Sequence, residues 1–270
     1  MRSLLLHAHR DANFESRLQV ALDLARAYDA HLTCVQPITF DVVMPGDFYG
    51  IYPAELAPVA RADAEEFRAE IEPRLAVEQV RWDWADEFGL PEKRLLHHAA
   101  LADLAIVGAS SPDGPRGPSA LAGLLAVHCK APVLVVPDGA KGLAIDGPAV
   151  VAWDGSLESS QALRAALPLL ARASKVSLVS VTEPHSEDEP ELPALSGAEY
   201  LARHGIDCEL VELPKGTRKV SEVLREAARA RGASYLVMGA YGVPRVVETL
   251  FGGVTRSMLR DADVPILLAH

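Results

Sequence analysis

The feature that most constrains this chain is a regular alternation of short apolar strands with helical patterns, which runs twice along its length. Short apolar runs that alternate with helical segments are typical of βαβ units and a parallel sheet. The predicted strands are 3–7, 32–36, 79–84, 104–108 and 133–136, then 149–153, 176–181, 208–212, 235–239 and 266–269. The predicted helices are 12–28, 56–72, 92–98 and 119–129, then 157–171, 195–204, 220–231 and 253–259.

Two local echoes indicate that the second half is a duplicate of the first. ADLAIVGAS (102–110) matches ASYLVMGAY (233–241), and KAPVLVVP (130–137) matches DVPILLAH (263–270). The chain has 270 residues, which suits two domains of ordinary size. We therefore expect one domain over 1–137, a turn-rich linker over 138–146 and a second domain over 147–270.

Five strands that alternate with helices on both faces predict a doubly wound α/β sheet in each half. Ligands of such sheets bind beyond the carboxyl ends of the strands, at the point where the strand order reverses. The loops after the first, second and fourth strands of each half are therefore the candidate binding loops.

Composition excludes several classes of protein. The net charge of −11 disfavours a nucleic-acid partner held through phosphate contacts. The opening residues lack a secretory leader, and no apolar run reaches the roughly 20 residues of a membrane span. The three cysteines are widely separated, so neither a zinc site nor a disulfide framework is indicated. These patterns predict a cytoplasmic protein without a membrane partner.

The loop after the fourth strand of the second half, GAYGVPRVVETLFGGVTRSML (239–259), is rich in glycine. Two residues separate Gly239 from Gly242, and nine separate Gly242 from Gly252, which Gly253 follows directly. Glycines let backbone N–H groups approach phosphate oxygens closely, and the predicted helix start supplies unpaired N–H donors. Thr255 would add a hydroxyl. The alternative interpretation is that these glycines only form turns and helix caps.

The glycine spacing, the segment VAWDGS (151–156) and the closing strand VPILLA (264–269) resemble the universal stress protein family. The resemblance covers the whole chain as a tandem pair, more closely in the second half. It implies two tandem doubly wound parallel five-stranded sheets of strand order 3-2-1-4-5. It also implies a pseudo-dimer through the last strands, 133–136 against 266–269, and ATP binding in one subclass.

Carried over by position, the resemblance places Asp154 near the ribose or adenine and the backbone at Val181 against the base. It places the phosphates among Gly239, Gly242, Gly252, Gly253, Val254 and Thr255. Relatives usually have Ser or Thr where this chain has Gly253, so one hydroxyl contact is lost and we expect weaker affinity.

The first half departs further from the pattern. Ser119 and Ala120 stand at the positions of Gly252 and Gly253, and the loop is two residues shorter and carries Pro112, Pro115 and Pro118. Prolines remove N–H donors. Aligning the second strands places Arg10 opposite Asp154. We therefore predict that this degenerate copy does not bind ATP in the same way.

His7 and His9 suggest a different class, a metal-dependent hydrolase. Side chains two apart on a strand share a face, so both imidazoles can reach one metal ion, with His97, His98 and Asp11 as further candidates. Such hydrolases are barrels of eight βα units, whereas this chain has five strands twice. No P-loop, GxSxG or HExxH motif is present, so no catalytic residue is predicted and any ATP hydrolysis would be slow and incidental.

The sequence therefore predicts a regulatory, cytoplasmic stress-response protein that binds an adenine nucleotide, ATP with or without Mg²⁺, in its C-terminal domain. The alternative is a nucleotide-independent interaction scaffold. The predicted partners are the nucleotide and the internal pseudo-dimer half; a homo-oligomer is compatible with both hypotheses.

Overall fold

A computed structural model describes residues 1–39, 56–110, 119–182, 192–240 and 253–270. The first half contains β1 (Ser3–His7), α1 (Phe14–Tyr28), β2 (His31–Ile38), α2 (Leu56–Val77), β3 (Arg81–Phe88), α3 (Pro91–Ala99), β4 (Leu104–Gly108), α4 (Ala120–His128) and β5 (Val133–Val136). The second contains β6 (Ala149–Ala152), α5 (Leu157–Ala165), α6 (Leu167–Leu170), β7 (Val176–Thr182), α7 (Ala194–Arg203), β8 (Cys208–Pro214), α8 (Val220–Ala230), β9 (Tyr235–Gly239), α9 (Gly253–Arg260) and β10 (Ile266–Ala269).

All ten strands form one sheet in the order β3-β2-β1-β4-β5-β10-β9-β6-β7-β8. Each half therefore has the predicted order 3-2-1-4-5, and its strands are parallel. The two halves join where β5 pairs with β10 in antiparallel fashion, with Leu134 opposite Leu267. The predicted pseudo-dimer through the last strands is confirmed.

The core consists of two layers, one on each face of the sheet, because successive strand residues point to opposite sides. In β1, Leu4 and Leu6 belong to the layer under α1, α2, α5 and α7. Leu5 belongs to the layer under α3, α4, α8 and α9. Strands that are buried on both faces read as continuous apolar runs, as the sequence of β1 does.

Several predicted boundaries differ from those in the structure, and three of the differences have a clear local cause. Helix α2 continues beyond residue 72 to Val77 although Pro73 lies inside it, because Ile71 and Leu75 are buried on either side of the proline. The predicted helix 157–171 divides into α5 and α6, since Pro168 lacks the N–H that would continue the ladder. Strand β3 begins at Arg81 rather than at residue 79, because Gln79 adopts a left-handed conformation with φ 54°.

The segment between the two halves packs against the first. Leu143 and Ile145 are buried, and the Leu143 N–H donates to Asp23 Oδ2 over 2.9 Å. Across the junction, the Tyr28 hydroxyl donates to the carbonyl oxygen of Pro168. The Arg172 guanidinium lies 5.5 Å from the centroid of the Tyr28 ring. The helices within the described ranges include none that is long and apolar enough to cross a membrane.

Candidate functional site

The strand order of the second half reverses between β6 and β9, which are neighbours in the sheet. Helix α5 follows β6 and packs on one face, through Ala162 and Leu163. Helix α9 follows β9 and packs on the other face, through Met258 and Leu259. The first turns of both helices therefore flank the carboxyl edge of the sheet from opposite sides, which is where ligands of doubly wound folds bind.

Asp154 lies at this edge, in the loop that joins β6 to α5, and its side chain is exposed. Its Oδ1 accepts hydrogen bonds from the Ser156 N–H (3.0 Å) and the Ser156 hydroxyl (2.6 Å). Ser156 in turn caps α5 by accepting from the Ser159 N–H. Oδ1 is thus engaged in this turn, and no hydrogen bond from a described residue reaches Oδ2.

The loop that carries Asp154 is supported from below. Gly155 has φ 78°, a backbone conformation that favours glycine, and its carbonyl accepts from the Leu192 N–H over 3.0 Å. The buried Trp153 indole N–H donates to the carbonyl oxygen of Leu192 over 3.1 Å. The end of the segment before α7 is thus attached on both sides of Asp154.

Gly239 ends β9 beside the first turn of α5. A Cβ built on Gly239 would stand 2.7 Å from the carbonyl carbon of Glu158 and 2.7 Å from the backbone nitrogen of Ser159. Such a distance is well inside van der Waals contact. Helix–strand packing alone therefore requires glycine at position 239.

Helix α9 begins at Gly253, as the sequence predicts. A Cβ built on Gly253 meets no described atom within 4 Å, so no described residue obstructs a larger side chain there. In the same turn Val254 is 38% exposed and Thr255 is buried. Val181 lies near the carboxyl end of β7, half-buried and opposite Leu213 of β8.

Six of the eight predicted binding residues are thus placed at the carboxyl edge of the second half. The other two, Gly242 and Gly252, lie outside the described residues.

Strand pairing corrects the alignment of the two halves at this edge. Leu4 of β1 pairs with Leu32 and Leu104, as Ala149 of β6 pairs with Val176 and Tyr235. Counting on from these equivalent positions places His9, and not Arg10, opposite Asp154. The prediction was one residue out because it was counted from the second strand, and the first half has one more residue between its first two strands.

In the first half, an ion pair between Arg17 and Asp11 lies at the equivalent edge. The Arg17 guanidinium from α1 donates to both carboxylate oxygens of Asp11, over 3.0 and 2.6 Å. It also donates to the carbonyl oxygens of His7 and His9. Both partners of the pair are less than a tenth exposed. Burial raises the pKa of Asp11, but the hydrogen bonds from His9 and Arg17 and the charge of Arg17 outweigh it and hold that pKa well below its usual range.

His7 adds a second bulky group at this edge, where the second half has Ala152. Its ring is buried, and its Nε2 has no hydrogen-bond partner among the residues that the structure describes. Burial, followed by the charge of Arg17, lowers the pKa of His7 from 6.5 to about 3, so the ring is neutral. Within the described ranges no group of three or more His, Cys, Asp or Glu side chains could hold a metal ion, so nothing there supports the metal-hydrolase hypothesis.

Sequence reasoning missed two features of these edges. The first is Arg17, which lies three residues after Phe14 and four before Ala21 and therefore on the apolar face of α1. A charge on an apolar helix face was the available signal. The second is the attachment of Leu192 to Trp153 and Gly155, for which the sequence carries no signal, since it depends on a contact across 39 residues.

Taken together, the fold is that of a tandem pair of doubly wound five-stranded α/β domains, and the second member has Asp154 at its switch point. Residues 147–270 match the model of the universal stress protein family, and this segment belongs to that family. No curated protein sequence matches the chain.

Solved structures extend the likeness in fold to both halves. A universal stress protein from Archaeoglobus fulgidus DSM 4304 aligns with a TM-score of 0.75 at 15% identity, over 99% of this chain and 96% of that one. A candidate universal stress protein from Pseudomonas aeruginosa UCBPP-PA14 aligns with a TM-score of 0.58 at 15% identity, over 100% of this chain and 93% of that one. At these identities the likeness concerns the fold alone.

Proposed function

We propose that the C-terminal half binds an adenine nucleotide, ATP with or without Mg²⁺, at the carboxyl edge between β6 and β9. The observation that carries the proposal is the position of the Asp154 carboxylate. It lies at the switch point of a universal stress protein domain, with Oδ1 engaged by Ser156 and the rest of the carboxylate exposed. An exposed carboxylate oxygen accepts hydrogen bonds from sugar hydroxyls.

The phosphate end of the proposed site is the first turn of α9. The leading N–H groups of a helix lack partners within the helix and carry partial positive charge, so they attract phosphate oxygens. No described atom lies within 4 Å of a Cβ built on Gly253, and Val254 and Thr255 follow it in the same turn. Gly242 and Gly252 complete the proposed phosphate loop on the strength of their spacing, with Gly239 at its start and Val181 beside the base.

We further propose that one chain takes one nucleotide. The chain divides into a degenerate domain over 1–137, a linker over 138–146 and the binding domain over 147–270. In the first domain the buried Arg17–Asp11 pair lies at the carboxyl edge, and His7 stands where the second domain has Ala152.

We propose that the protein is cytoplasmic and that its role is regulatory. No pair of described residues makes a nucleophile and general base at this edge. The alternative is an interaction scaffold that needs no nucleotide. Two observations favour it: helix packing alone accounts for Gly239, and Gly253 lacks the hydroxyl that relatives supply.

Equilibrium dialysis of the purified chain with ATP, with and without Mg²⁺, tests the proposal, together with mass spectrometry of ligand released on denaturation. We expect one ATP per chain, a thermal shift that grows with ATP concentration, and loss of both in Gly252→Val. Asp154→Asn should weaken binding, while the exposed Asp207→Asn serves as the matched control. A chain that shows no bound ligand and no thermal shift at millimolar ATP supports the scaffold and overturns nucleotide binding.

A further inference from the structure

Trp153, the residue directly before Asp154, is held by a backbone hydrogen bond to the neighbouring strand and by packing against α7. The Trp153 N–H donates to the carbonyl oxygen of Val179 over 2.9 Å. Its indole is 5% exposed and packs against α7. A Cβ built on Gly197 of that helix would stand 3.4 Å from two carbons of the ring, so the ring lies directly on the helix backbone.

Two hydrogen bonds close a loop around Asp154. The Trp153 indole N–H donates to the Leu192 carbonyl oxygen, and the Leu192 N–H donates to the Gly155 carbonyl oxygen. The residues on both sides of Asp154 are therefore tied to one residue, Leu192. We name this set of contacts, Trp153–Leu192–Gly155, the brace.

The brace fixes the backbone from which the Asp154 carboxylate projects. Ser156 fixes the carboxylate itself through Oδ1, so the direction of Oδ2 is set by both. A binding group has to be held within about 0.5 Å of its productive position, which requires support from the residues beneath it.

We propose that Trp153 is a positioning residue that orients Asp154 toward a ligand bearing hydroxyl groups. This inference rests on the proposed nucleotide site and adds a residue that makes no contact with the ligand in that proposal. The first half has Ala8 at the equivalent position. Alanine has no side-chain N–H to donate, so a brace of this kind is confined to the second half.

The test compares Trp153→Phe with Trp84→Phe in the full-length chain. Phenylalanine keeps a ring in the core but removes the indole N–H. Trp84 is a matched control because it is also buried and its N–H also donates, to Gln36 Oε1 and Asp86 Oδ1, but in the other half. We expect Trp153→Phe to raise the Kd for ATP about three- to tenfold, in line with the loss of one hydrogen bond. Trp84→Phe should leave the Kd unchanged, while it lowers the melting temperature by about as much as Trp153→Phe does.

A double-mutant cycle separates positioning from general stability. If Trp153 acts through Asp154, the same Trp153→Phe change in an Asp154→Ala background causes no further loss of affinity. Leu192→Pro removes the other hydrogen bond of the brace and should weaken ATP binding as Trp153→Phe does. It serves as the test variant if Trp153→Phe does not fold. Equal Kd values for wild type and Trp153→Phe, or losses that multiply in the double mutant, overturn the positioning role while leaving nucleotide binding intact. A wild-type chain that does not bind ATP overturns both.

Discussion

The Arg17 guanidinium lies directly beside Gly108, with Nη1 2.8 Å from the point where a Cβ on that glycine would stand. The equivalent glycine of the second half, Gly239, faces the backbone of a helix instead. The same position in the two copies is thus constrained by a side chain in one and by a main chain in the other. This difference distinguishes the carboxyl edges of the two halves.

Replacing Arg17 by Met should destabilise the first half strongly. The change leaves the Asp11 carboxylate buried without its partner, and breaking a buried ion pair from one side costs about 3–5 kcal/mol. Urea denaturation measures the loss. Arg10→Met is the control, since the pair between Arg10 and Glu70 is exposed and should contribute little. Equal effects of the two variants would contradict this prediction.

Gly239→Ala should lower the free energy of unfolding by about 1–3 kcal/mol, because the added methyl group overlaps the backbone of Glu158 and Ser159. Gly253→Ala is the matched control. It meets no described atom within 4 Å and replaces a helical glycine, so stability should stay the same or rise slightly. Thermal or chemical denaturation of both variants checks the contrast, and an unaffected Gly239→Ala protein would show that α5 can shift away from β9.

Gly253→Ser should strengthen ATP binding. No described atom within 4 Å obstructs a side chain at Gly253, and a serine there restores the hydroxyl that the family pattern supplies. One added hydrogen bond predicts a roughly two- to tenfold lower Kd in isothermal titration. Gly253→Ala separates the effect of the hydroxyl from that of the added carbon. An equal gain in the alanine variant would assign the effect to helix stability.

Stability should fall as the pH drops below neutrality, in part because of His7. Its folded pKa of about 3 lies below the unfolded value of 6.5, so in this range the unfolded chain binds a proton that the folded chain does not. The loss begins near pH 6.5, is complete near pH 3, and follows a slope of up to about 1.4 kcal/mol per pH unit. Asp11, whose folded pKa is depressed, adds its own loss only at pH values below about 4.

His7→Leu should remove the His7 contribution, and it also replaces a buried nitrogen that has no partner. Urea denaturation at pH 7 and pH 5 should show a smaller drop in the variant than in the wild type. The exposed His204→Gln serves as the control. An unchanged drop in His7→Leu would mean that the ring has the same pKa in the folded and the unfolded chain.

Sequence patterning predicted the central strands to the residue where burial on both faces makes them continuously apolar, as in β4 and β9. The edge strands were predicted too short. Strand β3 continues to Phe88 and β8 to Pro214, because pairing with the neighbouring strand persists after the apolar pattern has ended. Hydrogen bonds of the sheet do not require apolar side chains, so composition alone could not mark these ends.

The candidate site likewise has features that follow from local sequence and features that do not. The start of α9 at Gly253 and the position of Asp154 in the loop after β6 both follow from local sequence. The Arg17–Asp11 pair and the attachment of Leu192 to Trp153 depend on how distant segments meet. The position opposite Asp154 was one residue out because register is fixed by strand pairing and not by counting along the chain.

The antiparallel contact between β5 and β10 has an evolutionary consequence. In a dimer of identical subunits, every substitution appears on both sides of the junction, so a change that closes one edge closes the other. A single polypeptide that contains both halves escapes this symmetry. One half can acquire an internal ion pair at its carboxyl edge while the other does not, and both are made in equal amounts and joined from the moment of synthesis.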